Sequence, residues 1–232
     1  MIADRNSPVF VLASASTTRR QVLQNAGITA IVRVSNFDES QIECNDPIEL
    51  VQRLAQSKAE VVAETVAAEF GNRPALILGC DSVLWLDGKI YGKPGSRENA
   101  IAMWQKMRGN RGEIYTGHCL IDLQNPQKYR GVIRYGMTGV HFVNASDDEI
   151  TGYIDTGEPI NCAGCFTLEG LGGLLIEKLE GCHTNVLGLS LPLFRSMLLE
   201  LGYKIRFDRD RVVFDRTQPI VVASGFDLEI VQ

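Results

Sequence analysis

Apolar positions along this chain come in two spacings, unbroken runs and helical stripes, and their alternation predicts most of its elements. Val9-Phe10-Val11-Leu12-Ala13 is an unbroken run that fits a central strand. Hydroxyl-rich residues 14–18 connect it to a helix predicted over residues 19–26, with Gly27 as its stop. Residues 28–35 read as a second strand. Asp46-Pro47-Ile48-Glu49 is a strong helix start: Asp46 can cap, Pro47 suits the first helical position, and Glu49 can bond back to the cap. That helix should reach Phe70 and end at Gly71, with Leu50, Leu54, Val61, Val62 and Val66 as its apolar stripe. Lys58 falls one turn after Leu54, so its stem can lie beside the stripe while its ammonium reaches out.

A strand predicted over residues 75–86 should turn at Asp87-Gly88, a favoured two-residue hairpin signal. Ser96 can cap a helix ending at Gly109, with Ala100, Met103, Trp104 and Met107 facing the core. Residues 113–123 and 130–143 read as an antiparallel pair joined by a polar turn around Asn125-Pro126. Ser146-Asp147-Asp148-Glu149 is a capping box opening a short helix that stops at Gly157. Further on come a strand over 174–179, a helix over 191–201 opened by Pro192 and stopped by Gly202, and a hairpin over 203–215. The stretch after Pro219 is β-like but unplaced. Strands and helices alternate early and antiparallel strands appear later, which indicates an α/β protein with a mixed sheet. No repeat or linker marks a boundary, so residues 1–232 are expected to form one domain.

Composition narrows the function classes. With 232 residues, 45% of them hydrophobic, the chain can bury a substantial core. A net charge of -5 disfavours general nucleic-acid binding, so a polyanionic ligand would need a local basic pocket. The first eight residues hold two charged side chains and no apolar core, and no apolar run is long enough to span a bilayer. A cytoplasmic protein without membrane or nucleic-acid partners is expected. Six cysteines in a chain this long do not suggest a disulfide-stapled module. Cys162-Ala163-Gly164-Cys165 has redox or zinc spacing, but it lacks both a second ligand pair and a thioredoxin-like strand-to-helix setting, so buried thiols are expected.

Four segments carry candidate chemistry. Ile77-Leu78-Gly79-Cys80-Asp81-Ser82 delivers one carboxylate at the end of an apolar run, and Tyr91-Gly92-Lys93-Pro94 brings an ammonium across the turn. Ligands in open α/β sheets bind at strand ends, where such a pair could activate water beside a polyanion; a surface Asp and Lys flanking a turn fits the same residues. Ser14-Ala15-Ser16-Thr17-Thr18-Arg19-Arg20 sets hydroxyls and arginines at a strand-to-helix junction, where free N–H groups and guanidinium forks suit phosphate, though a capped helix with solvated arginines fits equally. Asp38 and Glu39 could hold a hard divalent ion jointly with substrate phosphates, or simply form an acidic loop. Residues 161–173 form a Gly-rich loop around Glu169, which could meet a flat ligand or stay solvated.

Together these segments resemble the Maf family of nucleoside triphosphate pyrophosphatases. The parallels are Leu12-Ala13-Ser14-Ala15-Ser16 with Arg19, Asp38-Glu39, Leu54-Ala55-Gln56-Ser57-Lys58-Ala59, Gly79-Cys80-Asp81-Ser82 and Gly92-Lys93-Pro94. They continue with Tyr115-Thr116-Gly117, Gly157-Glu158-Pro159, Ala163-Gly164 and Asn185-Val186-Leu187-Gly188-Leu189, in one order at compatible spacing. The chain departs from the family at Thr17, where proline is usual, at Thr18, where a basic or aromatic residue is frequent, and in a tail over about 203–232 that carries no family motif.

The resemblance implies a twisted mixed β-sheet flanked by helices, in two lobes with a central cleft, as in inosine triphosphatase-like proteins. It implies a hydrolase that cleaves a nucleoside triphosphate between its α- and β-phosphates, a divalent metal (Mg, Mn or Co), and often a homodimer. Its alternative is a nucleotide-binding regulator of septum formation in cell division, without essential catalysis. Carried over by position, Asp81 would activate water, Lys93 would serve catalysis, and Ser14, Arg19, Lys58, Ser82 and Glu169 would bind substrate. Glu39, with Asp81, would hold the metal. Because an ionised carboxylate only accepts hydrogen bonds, Glu169 favours a guanine-type or methylated purine base over thymine or uracil.

Overall fold

The structure, a computed structural model, describes residues 8–125, 128–217 and 228–229. Strand β1 (Val9–Ala13) runs parallel to β3 (Ala75–Leu86) on one side and to the short β2 (Ile31–Val32) on the other. Strand β3 then pairs antiparallel with β4 (Lys89–Tyr91) and with β5 (Arg111–Asn125), and β5 with β6 (Lys128–Phe142). Strand β7 (Ile176–Glu180) adds antiparallel to β6, and β10 (Leu228–Glu229) adds parallel to it. This is the mixed sheet that the pattern predicts. Strands β8 (Tyr203–Asp208) and β9 (Arg211–Arg216) form a separate hairpin, as expected.

Helix boundaries follow their caps closely. The long helix α2 (Pro47–Phe70) starts behind Asp46, whose carboxylate accepts from the Ile48 N–H at 2.8 Å, and ends at Gly71. Helix α3 (Arg97–Met107) is capped by Ser96, and α4 (Asp147–Asp155) has the full capping box between Ser146 and Glu149. A single turn, α5 (His183–Val186), precedes α6 (Leu191–Glu200).

Three expectations need correction. Helix α1 spans Thr17–Asn25 rather than 19–26, because Ser16 caps it by accepting from the Arg19 N–H at 3.2 Å. The second strand pairs over two residues only, and the chain then leaves the sheet with Asn36 at positive φ. The strand predicted over 174–179 begins at Ile176, since Leu171–Leu175 wind into a 3-10 turn. The turn after Asn125 and the stretch after Pro219 lie outside the described residues, apart from β10.

Apolar side chains collect in three clusters that share the long strands. On one sheet face Leu76, Leu78 and Leu120 pack with α1, α6 and the β8–β9 hairpin. On the other, Val11, Ile77 and Ile121 pack under α2. Toward the opposite end, Leu84, Ile114 and Phe142 pack with Trp104 of α3 and Tyr153 of α4. Fully burying each such side chain contributes roughly 1.5–3 kcal/mol. Along β3 the clusters are interrupted by Asp81 and Ser82, and along β5 by Thr116 and His118, so a polar band crosses the sheet between two apolar ends. Helix α2 reaches that band by close approach: a Cβ on Gly79 would stand 2.3 Å from the Ala55 carbonyl oxygen, and one on Gly117 would stand 2.1 Å from that of Val51.

The tail lies beyond the motifs of the resemblance, yet its hairpin belongs to the core. Tyr203 and Phe214 are buried beside Phe10 and Phe194. Arg216 Nη2 donates to both oxygens of the fully buried Asp122, at 2.8 and 3.0 Å, and Tyr203 donates its hydroxyl to the same carboxylate at 2.8 Å. Burial works against the Asp122 charge and holds its pKa above the usual carboxylate range despite both arginines nearby, Arg216 and Arg130. Arg216→Met strips the nearest cation from a buried carboxylate and is expected to lower stability by about 3 kcal/mol. Thermal unfolding checks this; an unchanged midpoint would mean that the hairpin is a passive addition.

Candidate active site

Strand β3 delivers Asp81, but not at its own end. The parallel pairing with β1 stops at Ala13 opposite Gly79, and residues 80–83 of β3 have no strand on that side before β4 takes up the edge at Leu84. Asp81 therefore sits two residues past the end of the parallel segment, at the carboxyl edge of β1, which is where open α/β sheets leave a crevice. It is 9% exposed. Burial pushes its pKa up, against the opposing pull of Lys58 and Arg19.

Helix α2 supplies the facing cation. Lys58 extends from the apolar stripe yet stays buried, and its ammonium donates to Asp81 Oδ1 at 2.5 Å and meets Glu39 Oε1 at 2.7 Å. The small residues Ala55 and Ala59, against Gly79, bring the helix close enough for that reach. Glu39 rides on a 3-10 turn (Glu39–Gln41) capped by Asp38, which accepts from the Ser40 N–H at 3.1 Å and from its hydroxyl at 2.7 Å. Asp38 is thereby spent on the turn, while Glu39 faces the lysine. Partial burial disfavours the Glu39 charge, but Lys58, with Lys93 and Arg19 farther off, holds its pKa below the ordinary range.

The first turn of α1 supplies the second cation. Arg19 donates Nη1–H to Ser14 Oγ at 3.1 Å, Nη2–H to Ser82 Oγ at 3.0 Å and Nε–H to the Gly188 carbonyl at 2.8 Å. Ser14 also accepts from the Ser16 N–H at 3.2 Å, so both its lone pairs are engaged and its own hydrogen is left for a ligand oxygen. Lys93, after β4, is exposed and makes no ion pair among the described residues; it acts on Glu39 through space.

Glu169 is exposed on its loop, where it accepts from the Thr18 hydroxyl at 2.7 Å. The loop is shaped by Glu158, which accepts from the Leu171 and Gly172 N–H groups, each at 3.1 Å, from the Tyr153 hydroxyl at 3.2 Å and from the Thr167 hydroxyl. Those donors hold the Glu158 pKa down although burial opposes them. Glu158 and Gly188 both lie in motifs quoted above, but spacing alone gives neither a role. The six cysteines are free thiols; Cys165 is buried, and Cys162 is half-buried.

The geometry therefore forms two contacting trios, Ser14 and Ser82 on Arg19 and Glu39 and Asp81 on Lys58, which adjoin where Asp81 and Ser82 follow one another on β3, and it leaves Lys93 and Glu169 exposed. Two anionic and two cationic side chains beside a free hydroxyl form a site suited to phosphate chemistry. Among the described residues no helix is long and apolar enough to cross a membrane, and no three His, Cys, Asp or Glu side chains cluster for a protein-only metal cage.

A family model described as "Maf-like protein" matches residues 9–201. The chain is 60% identical to a protein of Gloeothece citriformis over 84% of this chain and 95% of the relative. It is 57% identical to one of Microcystis aeruginosa, over 84% of this chain and 96% of the relative. A Synechocystis protein matches at 52%, over 86% of this chain and 97% of its own length. All three carry the name nucleoside triphosphate pyrophosphatase. On the strength of that match and those identities, the chain belongs to the Maf family.

Proposed function

We propose that this chain hydrolyses nucleoside triphosphates between the α- and β-phosphates, releasing the monophosphate and diphosphate. The observation that carries the reading is the buried Asp81 carboxylate held against Lys58, with Arg19 one contact away through Ser82. The names of relatives at 52–60% identity point the same way.

Asp81 has one oxygen on Lys58, so the other can accept a proton from water. Burial brings its basicity toward the operating pH, which is what a general base requires. The water oxygen bonds to the α-phosphorus, the bond from that phosphorus to the bridging oxygen breaks, and diphosphate leaves with the electron pair. Arg19 and the Ser14 hydroxyl suit the phosphate oxygens, and Lys93 at the rim can meet the departing diphosphate. Such a reaction depends on positioning and charge neutralisation more than on covalent help.

Two carboxylates suit a hard divalent ion that is shared with substrate phosphates, and both Glu39 and Asp81 already bind one cation in common, the Lys58 ammonium. When bound, a divalent ion would supply further charge neutralisation at the phosphates. The Glu169 carboxylate, an acceptor at the rim, fits the paired ring and amino donors of a guanine-type base, including a methylated one.

Asp81→Asn is expected to reduce diphosphate release by about 100- to 10,000-fold while leaving the circular dichroism unchanged. Near-wild-type turnover would remove Asp81 from the mechanism, and orthophosphate as the main product would sink the α–β cleavage itself. In a panel of substrates, GTP or 7-methyl-GTP should exceed dTTP and UTP in kcat/KM; equal values would end the assignment of base choice to Glu169. Lys58→Met frees both carboxylates of their shared cation, so it should bind Mn2+ without nucleotide more tightly than wild type, by titration calorimetry. Unchanged Mn2+ affinity would mean that Glu39 and Asp81 are not the metal's ligands.

A further inference from the structure

Two motifs of the chain, Tyr115-Thr116-Gly117 and Asn185-Val186-Leu187-Gly188-Leu189, contribute no side chain to the contacts described so far. Thr116 and Asn185 are nonetheless fully buried in the band between the apolar clusters. Thr116 Oγ1 donates to the Asn185 carbonyl at 3.0 Å, and Ser82 and Thr116 hydroxyls lie 2.9 Å apart.

A hydroxyl has one hydrogen. Thr116 commits its own to Asn185, so the bond between the two hydroxyls must run from Ser82 to Thr116. Ser82 in turn accepts from Arg19 Nη2–H at 3.0 Å. The chain is therefore directional throughout: Arg19 to Ser82, Ser82 to Thr116, Thr116 to the Asn185 carbonyl. Each donor polarises the next in a site shielded from water.

Thr116 is anchored at its backbone too. The Ser190 N–H donates to His118 Nε2 at 2.9 Å, which leaves His118 Nδ1 as the protonated nitrogen, donating to the Thr116 carbonyl at 3.1 Å. Burial keeps His118 neutral, with its pKa pushed down to about 3. The Asn185 side chain is seated by donating to the Ile114 carbonyl at 3.2 Å and toward the Thr138 hydroxyl at 3.3 Å.

We propose that Thr116 is a positioning residue for phosphate recognition: through Ser82 it fixes the plane of the Arg19 guanidinium. This rests on the reading of Arg19 as a phosphate ligand. Of the five N–H groups of Arg19, three are consumed by Ser14, Ser82 and Gly188. One N–H remains on each terminal nitrogen, and that pair matches two oxygens of a phosphate. Without the Thr116 acceptor, the Ser82 hydroxyl is free to rotate and the fork loses one of its three tethers. The same directionality distinguishes the two serines. Ser14 keeps its hydrogen for a ligand, whereas Ser82 has spent its own and can only accept.

Thr116→Val preserves shape and removes the hydroxyl. It should raise KM for GTP about tenfold with kcat within about twofold, the loss expected for a single hydrogen bond to a charged group. Inorganic tripolyphosphate binding, followed by calorimetry, should weaken about tenfold as well, and this arm stands whether or not GTP is the substrate or is hydrolysed at all. Thr116→Ser should restore both values. Ser82→Ala, one link nearer Arg19, should weaken binding by a similar factor, and the Ser82→Ala, Thr116→Val double variant should lose little more. If Thr116→Val does not fold, Thr116→Cys, a weak donor of similar size, takes its place. Wild-type KM and tripolyphosphate affinity, a fall in kcat alone, or fully additive losses in the double variant would each overturn the proposal.

Discussion

The arrangement of this molecule depends on one buried ammonium group shared by a buried carboxylate, Asp81, and an exposed one, Glu39. A buried carboxylate is costly on its own, and a buried lysine equally so. Asp81 and Lys58 are both less than a tenth exposed, and each makes the other tolerable. Their meeting sets demands on distant parts of the chain. Strand β3 needs Gly79 and β5 needs Gly117 so that α2 can lie against the sheet, and the facing helix positions must be small or purely backbone in contact. Replacing either glycine would push the helix outward and separate the pair. The packing of a helix on a sheet and the electrostatics of the site are thus the same constraint.

A second consequence concerns where polar residues are allowed. Strands β3 and β5 pair residue for residue, so Ser82 stands opposite Thr116, and Asp81 opposite Gly117. Alternation along the strands sends Asp81 toward α2 and sends Ser82, Thr116 and His118 to the opposite face, where α5 receives Thr116 and the α6 cap receives His118. Adjacent residues of one strand thereby serve two different cations, Lys58 on one face and Arg19 on the other. No single helix could have brought both to one place. Both cations nonetheless act on Asp81, Lys58 by direct contact and Arg19 through space.

Much of this was legible in the sequence, and the reasons are local. Caps such as Asp46, Ser96 and Ser146 announce helices because a side-chain oxygen satisfies N–H groups within a few residues. The hairpin at Asp87-Gly88 announces itself the same way. Order of motifs nominated the candidate residues, and six of those eight positions fall into two contacting trios, around Arg19 and around Lys58. Less could be read where contacts span the chain. Burial of Lys58 depends on a sheet that the helix does not encode, and the roles of Glu158, Thr116 and His118 depend on partners up to 72 residues away. Asp38 shows the opposite limit: adjacent to Glu39 and chemically alike, it is consumed by capping its own turn.

The tail illustrates how a core can extend past the motifs of a family. The family match ends at residue 201, immediately before β8. The β8–β9 hairpin nevertheless places Tyr203 and Phe214 against the first strand's Phe10, and Val212 donates to the Gly27 carbonyl at 2.8 Å. Gly27 ends α1, the helix that begins at the Arg19 turn. The hairpin therefore braces the far end of the element whose near end holds the phosphate-type cation. Asp122 completes the brace, since its buried charge is compensated chiefly by an arginine that only the tail supplies. Strand β5 thus contributes a polar group at each end of one face, Thr116 toward the site and Asp122 toward the tail. An apolar core alone would hold the hairpin through surface area. The buried charge adds direction, because Asp122 is met by the guanidinium of one residue of β9, Arg216.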